Sequence, residues 1–182
     1  MLASANCKPA LFLDRDGVLN VRIPGDYVKT PEGFEPVEGF GEALRLLRIH
    51  FDPIVVVTNQ AGIGKGLMRP EDLDAIHRKM LLLAAEADGP IDRVYHCPHR
   101  PEAACPCRKP ATGMAWQAIA DFPQLRLEHA WLVGDSASDI EFGQTLGLRT
   151  VLIEGKTEEA ARLKSLKVDF RFPSLLAFAQ WF

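Results

Sequence analysis

Three apolar runs in this chain stop in the same way. Phe12-Leu13 gives way to Asp14-Arg15-Asp16-Gly17, Val55-Val56-Val57 to Thr58-Asn59-Gln60-Ala61-Gly62, and Trp131-Leu132-Val133 to Gly134-Asp135-Ser136. Short apolar runs closed by polar and glycine residues read as strands, and a β-branched run such as 54–57 suits a strand buried on both faces of a parallel sheet. The strands are expected over Ala10–Leu13, Pro53–Thr58, Ile91–Tyr95, Ala130–Val133 and Arg149–Ile153, with an edge strand at Val168–Phe170. Between them apolar residues recur at helical spacing. Phe40, Leu44, Leu47 and Phe51 mark a helix from about Gly39 to His50. Pro70-Glu71-Asp72 opens a second, with Leu73, Ile76, Met80, Leu83 and Ala87 as its buried stripe. Thr112 is placed to cap a third carrying Met114, Ala118, Ile119 and Phe122. Shorter helices follow over Ser138–Leu146, stopped by Gly147, over Thr157–Leu166, and from Pro173 to Phe182. This alternation predicts an α/β fold around an open, mainly parallel sheet, and such sheets bind ligands beyond the carboxyl ends of their strands.

The bulk numbers narrow the function without naming it. A chain of 182 residues suits one domain, 1–182, with a real core, and its 47% hydrophobic and 25% charged residues are those of a soluble globular protein. Net charge of −3 at pH 7 gives no basic footprint, which argues against a nucleic acid partner. No apolar run reaches the roughly 18 residues of a membrane span. The start, Met-Leu-Ala-Ser-Ala-Asn-Cys-Lys-Pro, lacks a basic segment followed by an apolar one, so a cytoplasmic protein is expected, monomeric by default.

At the first strand end, Asp14 and Asp16 alternate to one side and Arg15 to the other. Two like charges at the mouth of a sheet call for a cation or a proton, and Mg²⁺ is the hard cation that few carboxylates hold together with phosphate oxygens. Taken alone, an Asp-x-Asp junction is as readily a pair of solvated side chains. The irregular stretch that follows, 20–38, is punctuated by Pro24, Gly25, Pro31, Gly33 and Pro36 and is long enough to serve as a flap, with Arg22, Asp26, Tyr27 and Lys29 as its substrate contacts. The turn from Thr58 to Gly66 offers a hydroxyl and free backbone N–H groups as a phosphate seat, or is merely a flexible loop. Asp139 falls one helical turn after Asp135, near enough to orient it or to reach the same metal through water.

The most specific local pattern after the first is Cys97-Pro-His99 followed by Cys105-Pro-Cys107. Three of the chain's four cysteines lie here within eleven positions. Ligands two apart face one side of an extended backbone, and the five residues between the pairs can fold back. Three thiolates and one imidazole make a closed tetrahedral zinc site, structural because no position is left for water, and it would hold a loop in one shape. His96 is expected to face away from it. Arg108-Lys109-Pro110 follows directly, so two cations ride on the stiffened loop, a planar fork and a point charge suited to a phosphate.

Together, Asp-x-Asp-Gly, Val-Thr-Asn-Gln, the Cys-x-His…Cys-x-Cys loop, Arg-Lys-Pro and Gly-Asp resemble the haloacid dehalogenase superfamily of Asp-nucleophile phosphatases over residues 8–155. Within it they are similar to the subgroup of heptose bisphosphate and histidinol-phosphate phosphatases. The resemblance implies a three-layer α/β/α Rossmann-like fold with a zinc-stapled loop. The space between Asn20 and Thr58 leaves no room for the large cap domain many relatives carry. It implies Asp14 as nucleophile, Asp16 as acid and base, and Mg²⁺ held by Asp14, the Asp16 carbonyl and Asp135, with Asp139 in support. Thr58 and Lys109 would grip the phosphoryl group, while Arg108, Arg22, Asn59 and Gln60 would contact the rest of the substrate, a small phosphorylated sugar or similar metabolite. The alternatives are histidinol phosphate as substrate, a nucleic acid 3′-phosphatase, and a zinc-stabilised binding module without activity.

Overall fold

The computed structural model describes residues 8–182. The start of the chain, read above as lacking a leader, lies outside the described residues. The elements are β1 (Leu11–Leu13), α1 (Phe40–His50), β2 (Ile54–Asn59), α2 (Ala61–Gly64), α3 (Pro70–Glu86), β3 (Arg93–Cys97), α4 (Gly113–Asp121), β4 (Trp131–Gly134), α5 (Ala137–Thr145), β5 (Arg149–Ile153), α6 (Ala160–Ser165), β6 (Phe170–Phe172) and α7 (Leu175–Trp181).

The strands form one sheet in the order β3-β2-β1-β4-β5-β6, every neighbouring pair parallel. The order reverses between β1 and β4, the switch point at which α/β sheets open a crevice for ligands. Leu13 is in register with Val133 across that boundary, and the Asp14 N–H continues the ladder by donating to the Val133 carbonyl at 2.9 Å. The register thus brings Asp14 beside the Gly134-Asp135 end of β4.

Alternation divides the sheet's side chains between two helical layers. Leu11, Leu13, Val56 and Trp131 pack with α1, α3 and α7, whereas Phe12, Val55, Val57, Tyr95, Cys97 and Leu132 pack with α4 and α5. Phe12 meets Phe142 of α5 edge to face, ring centroids 6.4 Å apart. Val28 and Phe34 are buried in the first layer, so the irregular stretch after Asp16 is anchored at its middle. Among the described residues, no helix is long and apolar enough to cross a membrane.

Several local expectations shift. β3 begins at Arg93 instead of Ile91, and β6 at Phe170 instead of Val168. In each case an Asp carboxylate just before the strand accepts a backbone N–H of the neighbouring strand, Asp92 from Ile54 and Asp169 from Thr150, and the ladder starts after it. Thr112 sits at the α4 N-cap but its hydroxyl accepts from the Trp116 indole, 3.1 Å away, and does not cap. The glycine-rich turn after Thr58 is not a loop: Ala61–Gly64 closes a helical turn. Gly64 is there for close approach, because a Cβ would stand 2.7 Å from the Pro98 carbonyl. Its N–H donates to that carbonyl at 2.9 Å, and its own carbonyl accepts from Arg100 at 2.6 Å. The turn therefore fastens the cysteine-bearing loop to the sheet.

Candidate active site

At the switch point a cleft of about 360 Å³ opens over the strand ends, lined by Asp14, Asp16, Thr58, Arg108, Lys109 and Asp135 among others. Residues 95 positions apart in the chain meet at its floor. The Lys109 ammonium donates to Asp14 Oδ1 at 2.7 Å and to the Val57 carbonyl at 2.6 Å, and pairs with Asp139 Oδ1 at 2.6 Å. Burial opposes the charge on Lys109, but Asp139 and then Asp14 outweigh it and raise its pKa above the ordinary lysine value. Asp139 is itself tied to the start of α5, where its other oxygen accepts from the Ser136 N–H at 3.0 Å. Its place is therefore under Lys109, with no hydrogen bond to Asp135 among the described residues.

Asp14, Asp135 and Asp139 bring carboxylate oxygens within 4.8 Å of one another. Burial pushes Asp14 up to about 6, with Asp139 and Asp16 adding to the shift and Lys109 opposing it. Asp135 goes up to about 8, through burial and then the Asp14 and Asp139 charges. One lysine does not balance three acids. Lys156 and then Arg22 oppose the Asp135 shift without cancelling it, Arg22 with Nε 3.6 Å from Oδ2. Gly17 lets Asp135 in: it holds φ +96°, and a Cβ there would stand 2.3 Å from Asp135 Oδ2. Hard oxygen donors, buried and short of positive charge, fit Mg²⁺. Lys109 engages one oxygen each of Asp14 and Asp139, whereas Asp135 forms no ion pair with it.

Asp16 is held quite differently. Arg15 Nη2 donates to its Oδ1 and Oδ2 at 2.9 and 2.8 Å, Asn20 to Oδ1 at 3.0 Å, and Gln60 to Oδ2 at 2.8 Å. Burial alone would raise its pKa, but the Arg15 charge and these donors outweigh burial and lower it. Arg15 leaves the strand on the opposite side, as alternation requires, but it is fully buried and its guanidinium returns to Asp16.

Gln60, expected at the substrate, has no exposure, and its amide also donates to the Thr58 hydroxyl at 2.8 Å. Asn59 lines the cleft, yet both ends of its amide read the Lys109 backbone: Oδ1 accepts from the N–H at 3.0 Å and Nδ2 donates to the carbonyl at 3.1 Å. Gln60, without exposure, is placed inside the wall and its expected substrate contact is corrected, whereas Asn59 keeps a place in the lining while it holds Lys109. From the flap, Arg22, Asp26 and Tyr27 reach the cleft, whereas Lys29 pairs with Asp26 at 2.8 Å and is not part of the lining. Arg22 also grips Glu158 with Nη2, at 3.0 and 2.9 Å from its two oxygens. Arg108 lines the cleft with a buried Nη1 that has no partner among the described residues. Lys156, at the rim, escaped the sequence reading, although Ile153-Glu154-Gly155-Lys156 is one more strand ending in polar residues and glycine.

Behind Lys109 the four thiol and imidazole groups gather. Sγ of Cys97 lies 3.4 Å from Cys105 Sγ, which lies 3.3 Å from Cys107 Sγ, while His99 Nδ1 is 3.7 and 3.3 Å from Cys97 and Cys107. Zn–S bonds of about 2.3 Å would set tetrahedral sulfurs about 3.8 Å apart, so this donor set fits zinc after a small expansion. Ala104, at φ 43°, turns the chain back between the two pairs. His96 faces the other layer, its ring 5.7 Å from that of His77.

The comparisons agree with this arrangement. The HAD-hydrolase-like family model matches residues 106–177. A D-glycero-beta-D-manno-heptose-1,7-bisphosphate 7-phosphatase of Pseudomonas putida is 37% identical over 171 residues, which are 93% of this chain and 97% of the relative. The alpha-heptose counterpart from Mycobacterium tuberculosis is 41% identical over 136 residues, 75% of this chain and 72% of that one. Among solved structures, a D,D-heptose 1,7-bisphosphate phosphatase from B. bronchiseptica, complexed with magnesium and phosphate, superposes with a TM-score of 0.84 at 31% identity, covering 95% of this chain and 97% of the other. With relatives this similar along nearly their whole length, and with the strand-end aspartates and the lysine in one cleft, the chain belongs to the haloacid dehalogenase superfamily of phosphatases.

Proposed function

We propose that the protein hydrolyses the 7-phosphate of D-glycero-D-manno-heptose 1,7-bisphosphate through an aspartyl-phosphate on Asp14. The observation that carries this reading is the convergence of Asp14, Lys109 and Asp135 at the sheet's switch point, with Lys109 Nζ 2.7 Å from Asp14 Oδ1. Asp14 attacks phosphorus, its oxygen forming the new P–O bond as the bond to the sugar oxygen breaks. Asp16 gives the departing alkoxide a proton, then takes one from the water that cleaves the aspartyl-phosphate. In the free protein Asp16 is held as a carboxylate with four donor contacts, and a phosphoryl dianion beside it acts in the opposite sense, favouring the proton. To carry that proton Asp16 sheds one contact.

Asp14, the Asp16 carbonyl and Asp135 would hold Mg²⁺, which supplies positive charge against the phosphoryl oxygens and keeps Asp14 ionised. Thr58 and Lys109 steady those oxygens, and Asn59 sets the Lys109 backbone in place. The partnerless Nη1 of Arg108 suits the second phosphate of a bisphosphate. Cys97, His99, Cys105 and Cys107 would hold a structural zinc that keeps Arg108 and Lys109 in position. Relatives named for both anomers of the heptose are similar to this chain.

The test compares kcat/KM for heptose 1,7-bisphosphate and for histidinol phosphate with Mg²⁺ present. A clear preference for the heptose is expected. A preference for histidinol phosphate overturns the substrate, and no hydrolysis of any phosphomonoester overturns the reaction.

A further inference from the structure

Arg15 is the largest side chain with no exposure at all, and the chemistry proposed above uses it only to hold Asp16. Its Nε has no acceptor, and among the described residues two groups locate the guanidinium. One is Asp16, met twice through a single nitrogen, Nη2. The other is His77 on α3, whose Nε2 lies 3.4 Å from Nη1. A guanidinium carries no acceptor, so His77 Nε2 accepts here and the ring is neutral with its proton on Nδ1. Burial, and then the Arg15 charge, push His77 down to about 3, in keeping with that neutral ring.

His77 falls on the buried stripe of α3, beside Ile76 and Met80, where an apolar residue would pack without leaving a polar group to satisfy. What the imidazole adds is an acceptor. A guanidinium held through one nitrogen can swivel about that contact. A second anchor on Nη1 fixes its plane and with it the direction of the Asp16 carboxylate. We infer that His77 is a positioning residue that acts through Arg15 to aim Asp16 at the departing alkoxide. This rests on the acid-base role proposed for Asp16. With Arg15 pinned, the contact that yields when Asp16 takes a proton is one of the neutral amides, Asn20 or Gln60, and not the charged one.

The test uses leaving groups. kcat/KM reports on the steps up to departure of the alcohol, so a misaimed acid harms substrates in proportion to how much their leaving group needs a proton. In His77→Leu, kcat/KM for heptose 1,7-bisphosphate is expected to fall about 10- to 100-fold, a part of what a whole general acid contributes, while p-nitrophenyl phosphate changes about threefold or less. His77→Gln, whose amide oxygen can accept from Arg15, is expected to recover most of the loss. Should His77→Leu fold poorly, His77→Phe keeps a ring without an acceptor and is expected to show the same discrimination. An equal fall for both substrates, or no rescue by glutamine, overturns the proposal. Asp16→Asn separates the two readings. If it discriminates between the substrates and the His77 variants do not, the His77 role alone fails; if it does not discriminate, the acid-base role of Asp16 fails and this proposal falls with it.

Discussion

The carboxylate cluster at the ends of β1 and β4 and the thiol cluster after β3 each gather their ligand atoms within 4.8 Å, but different forces assemble them. Asp14 and Asp135 are carried to the same place by neighbouring strands in register, and they meet against their own repulsion. The sheet overrules the charges. Of the thiol set only Cys97 belongs to a strand, and the other three ligands sit on a connection made of a short turn at Pro101–Ala103 and a left-handed Ala104. There the backbone is irregular and is fastened to the sheet through Gly64 and Asn59. One cluster is thus set by strand register against its own charges, and the other sits on a loop that a bound metal would stiffen.

The comparison breaks most visibly at Asp14. Asp14→Asn removes the proposed nucleophile, and a loss of kcat on the order of 10⁴ or more is expected on any phosphomonoester. The fold should not suffer: Lys109 keeps Asp139 and the Val57 carbonyl, and one of three crowded charges disappears. A thermal scan with Tm unchanged or slightly higher fits; a fall of many degrees would mean that the acids hold the sheet together after all. Cys105→Ser should do the reverse. With one of the four proposed zinc ligands gone, Tm is expected to fall by about 5–10 °C in parallel with lost zinc, as measured by metal content of the purified protein. Activity falls second-hand, because Arg108 and Lys109 lose their support. A Cys105→Ser protein with full zinc and unchanged Tm would remove the contrast.

Asn59 is the joint between the two regions. Its amide grips both backbone groups of Lys109, fifty positions away, and so fixes the end of the cysteine loop to the end of β2. Asn59→Ala deletes two hydrogen bonds to partly buried groups, worth about 1–3 kcal/mol in total, so kcat/KM should drop about 10- to 100-fold with KM for Mg²⁺ little changed. An effect confined to substrate KM would return Asn59 to the substrate-contact role first expected of it.

Much of this was legible in the sequence because the strands carry their chemistry at their ends. An apolar run that stops at Asp14 or Asp135 states both the strand and the functional group, and the parallel order follows from the helices between. The spacing of the cysteine motif needed no fold to be read. The roles of Asn59, Gln60 and Asp139 were not legible, because each is defined by a partner that only tertiary structure supplies: the Lys109 backbone, the Asp16 carboxylate, the Lys109 ammonium. A polar residue next to a strand end looks the same in sequence whether it turns toward substrate or back into the wall. His77 was hidden differently, since a lone histidine on an apolar stripe gives no sign of the guanidinium beneath it. Gly64 misled by its usual meaning; the glycine answers a neighbouring carbonyl and not a ligand.

The smallest expected effect tests the charge imbalance directly. An ordinary Asp titrates near 3.9 when unfolded, whereas Asp14 and Asp135 are pushed up to about 6 and about 8 in the fold. Between the unfolded and folded values the native state binds more protons than the unfolded one, so these groups add stability as pH falls and remove it as pH rises through 6 and then 8. Without Mg²⁺, Tm should therefore be several degrees higher at pH 6 than at pH 8. Millimolar Mg²⁺ should narrow the gap by supplying the charge that a proton otherwise brings. His77 works against this difference, because its depressed pKa begins to cost stability once pH falls below about 6.5, a range that includes pH 6. Asp135→Asn, which removes the most displaced carboxylate, should flatten the profile without Mg²⁺; if that variant keeps the full slope, the imbalance lies elsewhere than at the end of β4.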